Sequence, residues 1–222
     1  MNFSPDAARD WRSFSMRVLI RCLTIAAAAG VLASGSSVAA DIEAGRQLAM
    51  HGAGEGSLPC MSCHGPDGAG NAAAGFPRIA GMEADYLLRQ LHAYREGTRG
   101  GPIMKPIVAN LSESDFENVA AYYASLKAPD IAAPTPDPAL LAEGEWLAVN
   151  GNWDNEIPPC VSCHGPGGRG VGAEFPAIAG QHASYISAQL KAWQNGERQN
   201  DPQNLMKVVA ERMSFCNVAA TT

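Results

Sequence analysis

Helical periodicity runs through most of the chain. Between Glu83 and Glu96, Tyr86, Leu87, Leu91 and Tyr94 recur at three- and four-residue intervals, and Gly97 follows as a stop. Ser112 and Asp115 have the form of a capping box and open a second segment carrying Phe116, Val119, Tyr122, Tyr123 and Leu126. Asp137 followed by Pro138 reads as a helix cap and a first-turn proline, leading into Leu141, Trp146 and Leu147 and ending near Gly151. A similar segment starts at Asp41. No alternation of strand period competes with these, so the pattern predicts an all-α protein with long glycine-rich loops.

The pattern occurs twice. CMSCHG (60 to 65) returns as CVSCHG (160 to 165), and GFPRIAGMEADYLLRQLHAYREGTR (75 to 99) lies over EFPAIAGQHASYISAQLKAWQNGER (174 to 198). EAGRQLAMHG (43 to 52) matches AEGEWLAVNG (142 to 151), and IMKPIVANLS (103 to 112) matches LMKVVAERMS (205 to 214). Between the copies, KAPDIAAPTPDPA (127 to 139) holds four prolines, which deny it helix and favour a stiff extended connection. The expected organisation is a first domain over 41 to 127, a linker over 128 to 139 and a second domain over 140 to 222.

Residues 1 to 40 stand apart. From Met16 the chain has Arg17 and Arg21, an apolar run from Cys22 to Ala33, and small residues ending at Ala39 and Ala40. That is the order of a secretory signal cleaved after Ala40, with Met16 as the expected true start. The apolar run is shorter than the ~20 residues a spanning helix needs. The expected location is therefore the periplasm. Removing residues 1 to 40 takes away four Arg and two Asp, so the net charge of −6 becomes −8, from 12 basic and 20 acidic residues. Such an acidic product lacks the concentrated positive face that nucleic-acid binding requires.

Composition matters for the core. Apolar residues make up 46% and charged residues 17%, so the chain is neither a disordered polyampholyte nor wholly membrane-embedded. Yet only 7% is aromatic, while Gly numbers 23 and Pro 15. Side chains alone make a thin core for two units of some 85 residues. A bound group is expected to fill it.

The repeated Cys-x-x-Cys-His supplies one. Cys60 with Cys63, and Cys160 with Cys163, are spaced to add to the two vinyl groups of a haem, and His64 and His164 then stand where an imidazole can bind iron. A zinc site gathers its ligand pairs within about twenty residues, whereas these pairs are a hundred apart in sequence. A thioredoxin-like redox pair needs a strand-helix-strand setting that is missing. A disulfide across three residues is strained. Two covalent haems c are the expected cofactors.

A distal ligand serving both irons should recur at matching positions. Met104 and Met206 do, each about forty residues after its histidine, whereas Met50, Met61, Met82 and Met213 have no methionine counterpart and read as filling. His51, His92 and His182 also lack histidine counterparts and read as ordinary surface or loop residues. Thioether sulfur favours ferrous iron and raises the reduction potential. With two protein ligands per iron there is no vacancy for peroxide or oxygen, and electron exchange is the expected function.

The motifs CHGPDGAG, GFPRIAG, YLLRQL, IMKPIVANLS and ENVAAYYASL resemble those of the class I cytochromes c, and the tandem arrangement is similar to the two-haem cytochrome c4 group over roughly 42 to 214. The resemblance implies two tandem cytochrome c domains, each a few helices wrapped around a haem. It also implies respiratory electron transfer towards a terminal oxidase or similar acceptor, with loose attachment to the inner membrane in some members. By the same resemblance the carbonyls of Pro77 and Pro176 accept from the imidazoles of His64 and His164, and Met104 and Met206 match the distal ligand. Two other readings of function stay open: the haem subunit of a dehydrogenase such as a flavocytochrome, and a two-haem peroxidase with one iron open. The expected partners are redox proteins.

The second copy departs from the family pattern after Ser214, where FCNVAATT replaces the third helix of the first copy. Gly45 has Tyr122 or Tyr123 to cross, and Gly144 has nothing comparable. The expectation is a second domain less stable than the first, a truncated or frame-shifted terminus, and Cys216 as an accident of it.

Overall fold

The computed structural model describes residues 39–54, 57–130 and 137–214. The stretch expected to be a secretory signal, apart from its last two residues, the middle of the expected linker, and Cys216 lie outside the described residues. Those described are helical, with isolated β-bridges and no strand. No helix among them is long and apolar enough to cross a membrane. The described residues from 40 to 214 belong to one compact unit.

The first copy contains α1 (Ile42–His51), α2 (Met61–His64), α3 (Ala84–Glu96), α4 (Met104–Val108) and α5 (Glu113–Ser125). Asp41 caps α1 by accepting from the Glu43 and Ala44 amides at 2.9 and 3.0 Å. The capping box read from Ser112 and Asp115 is present: Ser112 Oγ accepts from the Asp115 amide at 3.1 Å, and Asp115 Oδ2 accepts from the Ser112 amide at 2.9 Å. Helices α1 and α5 cross at Gly45, where an added Cβ would lie 2.0 Å from the Asn118 carbonyl oxygen and 2.9 Å from Tyr122 Cβ. Around this crossing Leu48, Val108, Leu111, Phe116, Val119, Tyr122 and Tyr123 make the core. Phe116 is fully buried, with the Arg95 guanidinium 4.3 Å above its ring and the His92 ring edge-on at 5.2 Å.

The second copy contains α6 (Pro138–Asn150), α7 (Cys160–His164), α8 (Ala183–Gln194) and α9 (Leu205–Arg212). Helix α6 begins inside the stretch assigned to the linker, because Asp137 accepts from the Ala139 and Leu140 amides and fixes the first turn. The core here is smaller: Leu147, Ile157, Leu190, Trp193, Ala210 and Met213. Among the described residues no counterpart of α5 follows α9, and Leu141, Trp146 and Val149 of α6 are more than half exposed. Met82 and Met213, read as filling, are buried in the structure.

Backbone and side chains join the copies. The Gly100 amide donates to the Glu197 carbonyl at 2.6 Å, and the Gln199 amide to the Thr98 carbonyl at 2.8 Å, flanking a bridge between Arg99 and Arg198. Gln181 exchanges two 2.9 Å bonds with the Arg78 backbone. His182, expected as an ordinary surface or loop residue, lies in the loop before α8 and is buried at this seam with Nε2 2.9 Å from the Ala69 carbonyl oxygen. Its partner lies 113 residues away in sequence, which no local pattern reveals.

Candidate functional site

Both Cys-x-x-Cys-His segments form single helical turns. In α2 the His64 amide donates to Cys60 at 3.0 Å, and Gly65, at φ 79°, ends the turn. Helix α7 repeats this with Gly165. The turn places both cysteines and the histidine of each copy on one cavity. That cavity is 910 Å³, at the upper end of the ~300–1,000 Å³ typical of ligand sites. It is continuous between the copies and lined by Cys60, Cys63, His64 and Met104 together with Cys160, Cys163, His164 and Met206. All eight residues singled out from the sequence therefore meet on one surface.

The two histidines are buried alike, each 7% exposed. His64 Nδ1 lies 3.0 Å from the Pro77 carbonyl oxygen and His164 Nδ1 2.7 Å from that of Pro176. Burial pushes both imidazoles below the ordinary histidine range, and the bond to each carbonyl partly offsets this. A neutral ring that donates from Nδ1 keeps its lone pair on Nε2, the atom a metal needs. The cysteines are free of disulfides, and burial pushes the Cys60 thiol up to about 11 and the Cys160 thiol up as well. A thioether at these positions carries no ionisable proton, so burial of sulfur then has no charge to oppose.

Met104 opens α4 and Met206 lies in the first turn of α9; each is partly buried against the core of its own copy. Leu87, Leu91, Ile107 and Tyr123 line the first copy's part of the cavity, and Ile186, Leu190 and Val209 the second's. Apolar walls, paired cysteines, a neutral imidazole and a thioether on one surface fit a covalently attached haem in each copy.

One pair of residues escaped the sequence reading. The Gly70 amide donates to the His64 carbonyl at 2.8 Å and Gly170 to His164 at 2.7 Å. Gly70 sits at φ 81°, and a Cβ there would come within 2.5 Å of the Pro77 carbonyl oxygen. Glycine at this point lets the Pro77 peptide approach the histidine loop. The signal was present, since Gly70 and Gly170 hold matching places after the two motifs. Gly75 serves as a control, because it has φ 75° but nothing within 4 Å of an added Cβ. Gly75→Ala should cost only the ~1–2 kcal/mol of left-handed backbone. Gly70→Ala should cost that plus the displacement of Pro77, which thermal unfolding followed at the haem absorbance will read. Equal losses in the two variants would remove Gly70 from this role.

The fold and site define a class: paired small helical domains, each built to hold a covalent haem and pass electrons. The cytochrome c family model matches residues 42–127 and 158–212, and the chain belongs to that family. It is of the two-haem cytochrome c4 type. It is 39% identical to cytochrome c4 of Pseudomonas aeruginosa over 163 residues, 72% of this chain and 79% of that protein. It superimposes on reduced recombinant cytochrome c4 from Pseudomonas stutzeri with a TM-score of 0.71 at 35% identity, covering 82% of this chain and 96% of that one. It is also 47% identical to the thiosulfate dehydrogenase electron acceptor of Stutzerimonas stutzeri over 193 residues, 86% of this chain and 89% of the relative. Its fold matches the thiosulfate dehydrogenase TsdBA from Marichromatium purpuratum with a TM-score of 0.76 at 43% identity, over 81% of this chain. This chain spans 39% of that one's length. Two covalent haems c and electron transport follow for this chain from its family and its two Cys-x-x-Cys-His motifs.

Proposed function

We propose that this two-haem carrier works in the periplasm, that His64 with Met104 and His164 with Met206 ligate its irons, and that it accepts electrons from a thiosulfate-oxidising dehydrogenase for delivery to a terminal acceptor. The observation that carries the donor is the identity of 47% and 48% to two relatives named as thiosulfate dehydrogenase electron acceptors, against 39% to the cytochrome c4 of Pseudomonas aeruginosa. The TsdBA chain, of which a unit similar to this one covers 39%, lends further support.

Haem c supplies a reversible one-electron couple at each centre. The chain's residues set the conditions for it. The cysteines tether, and the histidines, held by Pro77 and Pro176, present a basic nitrogen. Met104 and Met206 would hold the haem irons through thioether sulfur, which favours the reduced state. The apolar walls, Leu87 and Leu91 in one copy and Ile186 and Leu190 in the other, would keep water from the group. Leu58 and Ile103 line the first copy's part of the cavity yet are 61% and 51% exposed, an apolar rim suited to the small, brief contact that turnover demands.

The test mixes oxidised holoprotein with thiosulfate and the dehydrogenase. The expected result is rapid appearance of the ferrous spectrum that requires both. Reduction by dithionite but not by the thiosulfate and dehydrogenase mixture would overturn the assignment of the donor.

A further inference from the structure

The helices that carry the two methionines are reached by loops of different length. Four residues, Gly100 to Ile103, separate Arg99 from Met104, whereas seven, Gln199 to Leu205, separate the matching Arg198 from Met206. In the first copy the short loop is closed by backbone: the Lys105 amide, next to Met104, donates to the Gly101 carbonyl at 3.0 Å. Gly101 in turn lies against α3, where an added Cβ would come within 2.6 Å of Tyr94 Cε1.

The second copy reaches the same end with a side chain. Asp201 Oδ2 accepts from the Lys207 amide, next to Met206, at 3.0 Å, and Asp201 Oδ1 accepts from Trp193 Nε1 of α8 at 3.1 Å. Trp193 holds the place of Tyr94 in the repeat, and Lys207 that of Lys105. One carboxylate therefore joins the two points that Gly101 joins in the first copy. It spans a segment that packing does not hold, since Pro202, Gln203, Asn204 and Leu205 are all exposed. Gln203 and Asn204 are consecutive residues at φ 55° and 59°. Left-handed backbone is unfavourable for residues with a Cβ, so such a turn persists only where its surroundings fix it. Trp193 is a firm anchor, buried in the core of the second copy.

We propose that Asp201 is a positioning residue for Met206: by tying the first turn of α9 to Trp193, it sets where the thioether stands and how readily it leaves the iron. This rests on the reading that His164 and Met206 would hold the second iron. Hydrogen bonds to a carboxylate are stronger than those between neutral groups, so their loss should be felt at the residue beside them. The signal in the sequence is the longer second loop, with an aspartate where the first has only glycine, proline and isoleucine.

The experiment uses Asp201→Ala and Trp193→Phe holoproteins beside wild type and Met206→Ala. The ferric sulfur-to-iron band should equal two methionine-ligated centres in wild type and one in Met206→Ala. A band that Met206→Ala leaves unchanged contradicts the ligation itself, and the proposal falls with it. With the ligation in place, cyanide binding to the ferric protein reads the hold on Met206, because cyanide enters only when the thioether swings away. In Asp201→Ala it should be about tenfold faster or more at the second centre, the factor that corresponds to one hydrogen bond to a charged group. The first centre should not change, with NMR assigning the two. Trp193→Phe, which removes one donor and keeps the carboxylate, should act in the same direction by less. Wild-type kinetics in Asp201→Ala, or equal acceleration at both centres, overturns the proposal. So does a raised second potential with wild-type cyanide kinetics, since Asp201 would then act through its charge alone. If Asp201→Ala does not accumulate with two haems, Asp201→Asn decides. It has one oxygen to accept where aspartate has two, and should give a smaller acceleration at the second centre; wild-type kinetics there overturn the proposal equally.

Discussion

Replacing Cys60 and Cys63 together by serine is expected to leave a chain with one haem and an unfolded first copy. The reason is volume. The cavity lined by both Cys-x-x-Cys-His segments is 910 Å³. Leaving half of it unfilled costs on the order of 10 kcal/mol at about 24 cal/mol per Å³. That is comparable with the ~5–15 kcal/mol that holds a whole domain together. Leu87, Leu91, Ile107 and Tyr123 would face this space without a partner. The haemochrome spectrum should read one haem per chain, and far-ultraviolet circular dichroism should lose the helix of α1 through α5. Cys160→Ser with Cys163→Ser should unfold the second copy in the same way, and with less to resist it, since among the described residues its core has no equivalent of Phe116 and Tyr123. A variant that loses one haem but keeps full helicity and an unchanged thermal transition would show that the side chains suffice on their own.

Gly45→Ala is the second large effect. On helix propensity alone the change favours folding by about 1 kcal/mol. Packing reverses the sign. A Cβ at residue 45 would sit 2.0 Å from the Asn118 carbonyl oxygen and 2.5 Å from its carbon, and these are backbone atoms of α5 that no rotamer change can move. Helix α5 must shift as a body, taking with it the Asp41 amide bond to Asn118 Oδ1 at 2.7 Å and the packing of Tyr122. A loss of about 3 kcal/mol or more is expected for the first copy in chemical denaturation. A loss under about 1 kcal/mol would mean that α1 and α5 are not held as closely as the structure has them.

What was legible in the sequence was local or repeated. The caps at Asp41, Ser112 and Asp137 act within three residues, so their chemistry could be read directly. The cysteine, histidine and methionine sets could be read because two copies of one unit expose what both require. Two kinds of feature stayed hidden. The short helix Met104–Val108 has a proline inside it and too few residues for a period to appear, so it is held by packing rather than announced by pattern. The seam joins residues about a hundred positions apart: His182 reaches Ala69, and Arg198 reaches Gln90. Hydrophobic periodicity does not encode such pairings.

The central proposal is that His64 with Met104, and His164 with Met206, would hold the two haem irons through imidazole and thioether. The ferric absorption spectrum of purified holoprotein tests it most directly, through the sulfur-to-iron charge-transfer band measured against haem content. The account predicts a band amplitude equal to two methionine-ligated centres per chain, halved in Met104→Ala, halved likewise in Met206→Ala and lost in the double variant, with no rapid cyanide binding before either change. A wild-type band worth one centre or none, or prompt cyanide uptake at both irons, would contradict it.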